Sequence, residues 1–300
     1  MDLTGKTALI TGGVSGIGFG IARALAKAGM DIILTYRNEA YREEAEAWFA
    51  GNGLPSPRFM TLDVTDRVRW SEIAVEAGKV HVLVNNAGVS VFGPTDEASH
   101  ADYDWIMGVN FGGAVNGLVA MLPGMKAHGE GGHVVNVASM AAFCAGPQAG
   151  IYTASKFALR GLTECLRYNL AAHDIGVSLM CPGLTRTNAW DSALKRPEAF
   201  AGSGFAPVDP GELAHFGKGF DFGMDPLEVG EKTLAGMRAN QGLILTHPDH
   251  REDFAEIAAE LMAALPEEPI PEGRAQIERL RREANRAAAA GMQIGLGDLT

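Results

Sequence analysis

Only three cysteines, Cys144, Cys165 and Cys181, occur in 300 residues. They are too few and too irregularly spaced for a disulfide framework, so reduced thiols in a cytoplasmic protein are expected. Basic residues are outnumbered as well: 25 Lys and Arg against 36 Asp and Glu leave a formal charge of −11. A surface of that sign repels phosphate polymers, so neither nucleic acid nor an anionic membrane is expected as a partner. No run of about 18 consecutive apolar residues exists. The N-terminus, Met1 to Lys6, has neither a basic stretch nor a long apolar one, so neither a leader nor a membrane span is expected.

What is present is the composition of a folded chain, 47% hydrophobic and 20% charged, which suffices for a sizeable core. Short β-branched runs alternate with longer helical patterns. Thr7–Thr11, Ile32–Tyr36, Phe59–Leu62, Val80–Val84, His133–Val137, Val177–Met180 and Leu243–Thr246 read as buried strands. Ile17–Lys27 and Tyr103–Met125 read as helices between them. Near-continuous apolar strands separated by helices imply a parallel sheet covered on both faces, hence an α/β, doubly wound fold. Residues from about 184 to 225 are rich in Gly, Pro, Phe and Ala with weak periodicity, as in a long loop over a site. Beyond residue 247 the pattern is helical only, with Phe254, Ile257, Ala258, Leu261 and Leu265 on one face. The expected division is a single Rossmann-type catalytic domain over 1–247 and a helical C-terminal extension over 248–300.

The glycine-rich stretch Gly12-Gly13-Val14-Ser15-Gly16-Ile17-Gly18 follows the first strand and opens the first helix. Glycines let the backbone approach a pyrophosphate, and a helix N-terminus offers unpaired N–H groups. The spacing is Gly-x3-Gly-x-Gly, and the Gly-Lys-[Ser/Thr] ending of an NTPase loop is missing. Asp63-Val64 and Asn85-Asn86-Ala87-Gly88 each end a strand, where ligands of open α/β sheets bind. Asp63 could accept from an adenine amine or cap the helix near Val68, and Gly88 lets the chain approach a ribose. Ser139 ends the fifth strand, and Tyr152 and Lys156 stand four residues apart on one helical face. An ammonium beside a phenol favours the phenolate, so Lys156 is expected to lower the pKa of Tyr152. Ser139 can hold a substrate oxygen, and Asn110 can tether a water that relays protons.

This ordered set resembles the short-chain dehydrogenase/reductase superfamily, over roughly residues 5–190. The resemblance implies a seven-stranded sheet, homodimers or homotetramers, and a nicotinamide cofactor held by Gly12, Ser15, Gly16, Ile17 and Gly18. It also implies cofactor contacts from Tyr36, Arg37, Asp63, Val64, Asn86, Ala87, Gly88, Pro182 and Gly183, and carboxamide contacts from Thr185 and Thr187. Asn110, Ser139, Tyr152 and Lys156 match its catalytic tetrad, with Lys156 also binding the nicotinamide ribose. Where NAD-preferring relatives carry Asp, this chain has Tyr36 followed by Arg37, so NADP(H) is the expected preference, with NAD(H) left open. Phe92, Phe143, Ile151, Leu184 and Trp190 fall in segments that the family places around the tyrosine. Their apolar character implies a bulky or aromatic alcohol or ketone. The 92–110 segment and the tail are similar to bacterial aryl-ether Cα-dehydrogenases, which oxidise benzylic alcohols. The alternatives are an inactive, cofactor-sensing protein on this fold, or a lyase or epimerase. His247-Pro248-Asp249-His250 reads as a capped turn, and no metal is expected.

Overall fold

The computed structural model describes residues 2–207, 209–295 and 297. Residue 1, residue 208 of the expected loop, and residues 296 and 298–300 of the expected extension lie outside them. The strands are β1 (Thr7–Ile10), β2 (Asp31–Tyr36), β3 (Arg58–Thr61), β4 (Val82–Asn85), β5 (Gly132–Val137), β6 (Ile175–Cys181) and β7 (Leu243–Leu245). They form one parallel sheet in the order β3-β2-β1-β4-β5-β6-β7. The doubly wound α/β fold expected from the sequence is the one that forms. The helices flanking the sheet are α1 (Gly16–Lys27), α2 (Glu39–Gly51), α3 (Arg67–Ala77), α4 (His100–Met107), α5 (Gly113–Ala127) and α6 (Gly150–Ala171). They are followed by α7 (Pro210–Lys218), α8 (Pro226–Arg238), α9 (Arg251–Ala263) and α10 (Glu272–Ala289).

Successive strand side chains point to opposite faces, and both faces are apolar here. Leu9, Ile33, Leu83, Val134 and Val177 pack on one side with Trp70, Trp105, Ile106 and Met121. Their neighbours Ile10, Ile32, Leu34, Val82, Val84 and Val135 pack on the other with Ile21, Leu25, Phe49 and Val229. On that second side α1 and α8 cross backbone to backbone: a Cβ on Gly20 would lie 1.8 Å from the Pro226 carbonyl oxygen.

The helix expected over Tyr103–Met125 runs unbroken from His100 to Ala127, with a π-helical turn at Gly108–Gly112 between α4 and α5. By length and composition it could cross a membrane, and half of its apolar window is buried in the fold. With Trp105, Ile106, Leu118, Met121 and Met125 in the main core, it is a core helix. Turns of this kind recur at functional sites, and this one carries Asn110.

The segment from about 184 to 225 leaves the strand–helix rhythm, as expected, and is pinned at two places. The first pin is Asp102, which is fully buried in α4. Its Oδ1 accepts from the Arg196 guanidinium at 2.5 Å and the Ser203 hydroxyl at 2.7 Å. Its Oδ2 accepts from the Gly204 amide at 2.9 Å and from the Ser99 amide and hydroxyl at 2.9 and 2.8 Å. Burial alone would raise this carboxyl's pKa, but hydrogen bonds from Ser203, Ser99 and Gly204 hold it well below the usual carboxylate range. The second pin lies at the far end: Thr185 bridges to Met224, and Arg186 pairs with Asp225, the N-cap of α8, at 2.8 Å. Past the sheet, α10 rests on α6, whereas α9 has no buried residue.

Asp102→Ala leaves Arg196 without its buried partner, so the fold should lose about 3–5 kcal/mol in urea unfolding at neutral pH. The carboxyl's pKa is depressed in the folded state, so its contribution is complete above the unfolded value of about 4 and fades as pH falls below it. The variant should lack that acid-dependent step. A loss under about 1 kcal/mol, the range of surface pairs, would show that the clasp carries no stability.

Candidate active site

The strand order reverses between β1 and β4, and the crevice of such a sheet opens at their carboxyl ends. Thr11, just past β1, closes its floor. Its hydroxyl donates to the Val84 carbonyl at 3.4 Å and accepts from the amides of Asn86 and Ala87 at 2.9 and 3.0 Å. The Asn86 amide group reaches back to the carbonyls of Thr11 and Gly12 at 2.9 and 3.3 Å. The loop above this floor bends through Gly12 and Gly16, at φ 60° and 51°, in the left-handed region that favours glycine. A Cβ on Gly18 would lie 2.4 Å from Asn86 Nδ2. Ser15 is the N-cap of α1, yet its side chain makes no capping hydrogen bond. An exposed hydroxyl at an uncapped helix N-terminus suits a phosphate.

Ser139, Tyr152 and Lys156 meet on the neighbouring wall. Tyr152 and Lys156 rise from the first turns of α6, with the ammonium 5.5 Å from the phenol ring centroid. Lys156 is 5% exposed and has a hydrogen bond to the Val137 carbonyl at 3.2 Å. Burial pushes the phenol's pKa up, hydrogen bonds from the Ser139 and Ser90 hydroxyls offset part of that, and the nearby Cys181 adds to it. Burial also pushes Lys156 down, to about 8. Desolvation is the largest influence on the phenol and the one that raises its pKa. Beneath the pair, burial pushes the Cys181 thiol up to about 12, which leaves it inert.

Asn110 reaches the same wall. Its Oδ1 accepts from the Val89 amide at 2.8 Å, and its Nδ2 donates to the Val89 carbonyl at 3.0 Å and the Ser155 hydroxyl at 3.1 Å. A Cβ on Gly88 would lie 3.1 Å from Asn110 Oδ1 and 3.7 Å from Lys156 Nζ, so these three residues adjoin. Both amide protons of Asn110 are spent, so its side chain ties the 88–89 loop to α6 and has no donor left for a water.

The expected pocket residues divide. Phe92 faces Tyr152 at 6.5 Å between ring centroids and meets Phe216 of α7 edge-on at 5.4 Å, and Phe216 meets Phe220 at 5.6 Å. Trp190 backs this wall against Gly217, and Leu184 is 47% exposed. Ile151, by contrast, is buried in the main core. Phe143 lies against Phe254 at 5.1 Å and under the Arg160 guanidinium at 4.2 Å, packed against the tail. Phe216 and Phe220 escape the sequence reading because only the path of the long loop brings them to this wall, and Ser90, past β4, escapes it because no motif marks it.

The segment after β6 is held by His247, another residue that the sequence reading leaves outside the site. Its Nδ1 accepts from the Gly183 amide at 2.9 Å, and its Nε2 donates to the Leu184 carbonyl at 2.8 Å. Burial holds this imidazole's pKa below its usual value. Pro182 accepts from the Met140 amide at 3.0 Å, and Thr187 lies against Gly16, so the segment spans from the serine turn to the glycine loop. Thr185 is buried with its hydroxyl on the Gly183 carbonyl at 3.2 Å.

At the other end of the crevice Tyr36 packs edge-on against Phe59 at 6.4 Å. Arg37 pairs with Asp63 at 3.0 Å, both partly exposed. The other Asp63 oxygen accepts from the Thr65 amide and hydroxyl at 2.9 and 2.7 Å. Despite its burial, the Thr65 and Arg37 hydrogen bonds hold that carboxyl's pKa below its usual value. The cap of α3 is Asp66, so Asp63 is not a helix cap. Val64 is buried, and its carbonyl takes the Trp70 indole at 3.1 Å and Asn116 at 2.9 Å.

The profile of the short chain dehydrogenase family matches residues 6–198. A C alpha-dehydrogenase of Sphingobium sp. strain SYK-6 is 33% identical over 98% of this chain and 99% of its own length. The apo form of LigD from that strain has a TM-score of 0.73 at 30% identity, covering 89% of this chain and 99% of LigD. A Burkholderia phymatum short chain dehydrogenase/reductase in complex with NAD reaches 0.78 at 30% identity, over 90% and 99% of the two chains. With its glycine loop and its serine, tyrosine and lysine gathered at one crevice, the chain belongs to the short-chain dehydrogenase family, as an oxidoreductase similar to the Cα-dehydrogenases within it.

Proposed function

We propose that the protein interconverts a bulky aromatic secondary alcohol and its ketone with NADP(H) as the preferred cofactor. The observation that carries this reading is the phenol of Tyr152, reached by two serine hydroxyls, beside a buried ammonium and under a wall of Phe92, Phe216 and Phe220. The glycine loop with its uncapped helix end fits a dinucleotide, which when bound supplies or accepts the hydride. Gly12, Ser15, Gly16, Ile17 and Gly18 would hold its pyrophosphate. Asp63, Val64, Asn86, Ala87 and Gly88 would hold the adenosine side, and Pro182, Gly183, Thr185 and Thr187 the nicotinamide side. In reduction, Ser139 donates to the substrate oxygen and Tyr152 passes its proton to that oxygen. The raised pKa of the phenol and the charged Lys156 suit this direction: the acid is loaded at neutral pH, and the ammonium stabilises the phenolate left behind. Asn110 and His247 act on the geometry, by fixing the 88–89 and 182–184 segments.

NADP(H) preference is supported by the lack of an acidic residue at the end of β2 and by Arg37, held by Asp63 through one nitrogen, with no other hydrogen bond from its guanidinium among the described residues. Residues 1–247 are read as the catalytic unit and 248–300 as the extension. Three free cysteines agree with a cytoplasmic setting, and a homodimer or homotetramer is the assembly expected of this family.

Tyr152→Phe should cut turnover about 10²–10⁴-fold with cofactor affinity unchanged in a fluorescence titration. Turnover near that of the parent would reject the proton-transfer role. In a comparison of kcat/KM, Arg37→Ala should lose about tenfold or more with NADPH and little with NADH, whereas a parent enzyme that favours NADH would overturn the cofactor assignment. Phe216→Ala should raise KM for an aryl ketone about 2–10-fold and leave a branched aliphatic ketone nearly unaffected. An equal change for both would remove the case for an aromatic substrate.

A further inference from the structure

Among the described residues, two clusters of metal-ligand side-chain types lie outside the crevice. In the first, His81, His128 and Glu130, every ring nitrogen is committed. His81 Nδ1 accepts from the Thr7 amide at 3.1 Å, and its Nε2 donates to Glu130 at 2.9 Å. His128 Nδ1 accepts from the Glu130 amide, and its Nε2 donates to the Val80 carbonyl, both at 3.1 Å. A metal there would orphan main-chain groups at strand ends, so the cluster is structural.

The second, Cys144, His250 and Asp253, is different. One ligand atom from each lies within 4.8 Å of the others. Cys144 belongs to the turn behind Ser139, its amide bonded to the Met140 carbonyl at 3.1 Å, and no hydrogen bond holds its thiol among the described residues. His250 is the N-cap of α9, and its Nδ1 meets Asp253 one turn on, at 2.8 Å. The sequence reading of a capped turn thus describes half of the arrangement; the thiol arrives from far earlier in the chain. The two elements are set against each other independently of any ligand, because Phe143 and Phe254, the neighbours of Cys144 and Asp253, stack edge to face at 5.1 Å. The three donors are therefore presented in advance, and the positive helix end is already offset by Glu252 and Asp253.

We propose that Cys144, His250 and Asp253 form a zinc-class divalent-metal site that staples α9 to the turn behind Ser139. Thiolate, imidazole and carboxylate are together a zinc donor set, and the sulfur selects against Mg²⁺ and Ca²⁺. On binding, the Cys144 thiol releases its proton to solvent and its sulfur bonds the metal. A ring nitrogen of His250 gives its lone pair while the other keeps the proton, and Asp253 gives one oxygen. No electrons change hands, and thiolate plus carboxylate neutralise the dication. Water fills the fourth position. No residue of α9 is buried, so the metal adds a second attachment to the Phe143–Phe254 stack.

The test uses the full chain, stripped with a chelator and titrated with Co²⁺ and then Zn²⁺. About one Co²⁺ per chain should bind with a thiolate-to-cobalt charge-transfer band and a tetrahedral visible spectrum, releasing about one proton. Zn²⁺ should displace it and raise Tm. Cys144→Ser should abolish the band and weaken Zn²⁺ by more than about 10–100-fold, the cost of losing outer-shell support alone, while Cys165→Ser changes neither. His250→Ala, at a half-buried position, gives a second variant whose fold is checked by circular dichroism, and it too should weaken Zn²⁺. The proposal is overturned by the absence of a thiolate band at equimolar Co²⁺, by binding at millimolar metal only, or by a band that survives Cys144→Ser.

Discussion

The hydroxyl of Thr11 is the contact on which the site depends. It joins the end of β1 to the turn after β4 through one donated and two accepted hydrogen bonds, at the point where the strand order reverses. The glycine loop and the Asn86–Gly88 turn are thereby held as facing walls. Everything that follows is stacked on this floor: Asn110 fixes Val89 to α6, and α6 carries Tyr152 and Lys156. One small side chain thus converts a general property of parallel sheets, a crevice at the strand ends, into a defined volume.

Burial tunes that volume in two directions at once. It raises the phenol and lowers the ammonium, so the two groups are pushed apart in proton affinity. The hydroxyls of Ser139 and Ser90 keep the phenol from rising further. Burial is the largest influence on the phenol's affinity.

The features legible in the sequence are those whose geometry is local. Tyr152 and Lys156 share a helix face by spacing alone, and the glycine loop is bounded by a strand and a helix that each announce themselves. The alternation of Leu9 with Ala8 and Ile10, or of Leu83 with Val82 and Val84, already specifies a two-faced core. Contacts made by the long loop and the tail are not written locally. Nothing around Phe216 signals that it meets Phe92, and nothing around Ser90 or His247 marks them as neighbours of the site. Ile151 fails for the converse reason: its position one residue before the tyrosine is right, but the helix turns it into the core. Asp63 and Asp66 both have cap-like settings, and only the path of the chain gives the helix to Asp66.

The Asp102 clasp divides the long loop into parts with different histories. Residues 196–204 are tied to α4 by a buried ion pair, and residues 223–226 are tied to β6 and α1 through Thr185, Arg186 and Gly20. Between these moorings lies α7, whose Phe216 faces the tyrosine wall from a half-exposed helix. Substitutions there change what the crevice contacts without touching what keeps the chain folded. The loop is in effect an exchangeable panel in a fixed frame, so substrate range can drift in this protein while stability and hydride chemistry stay under separate control.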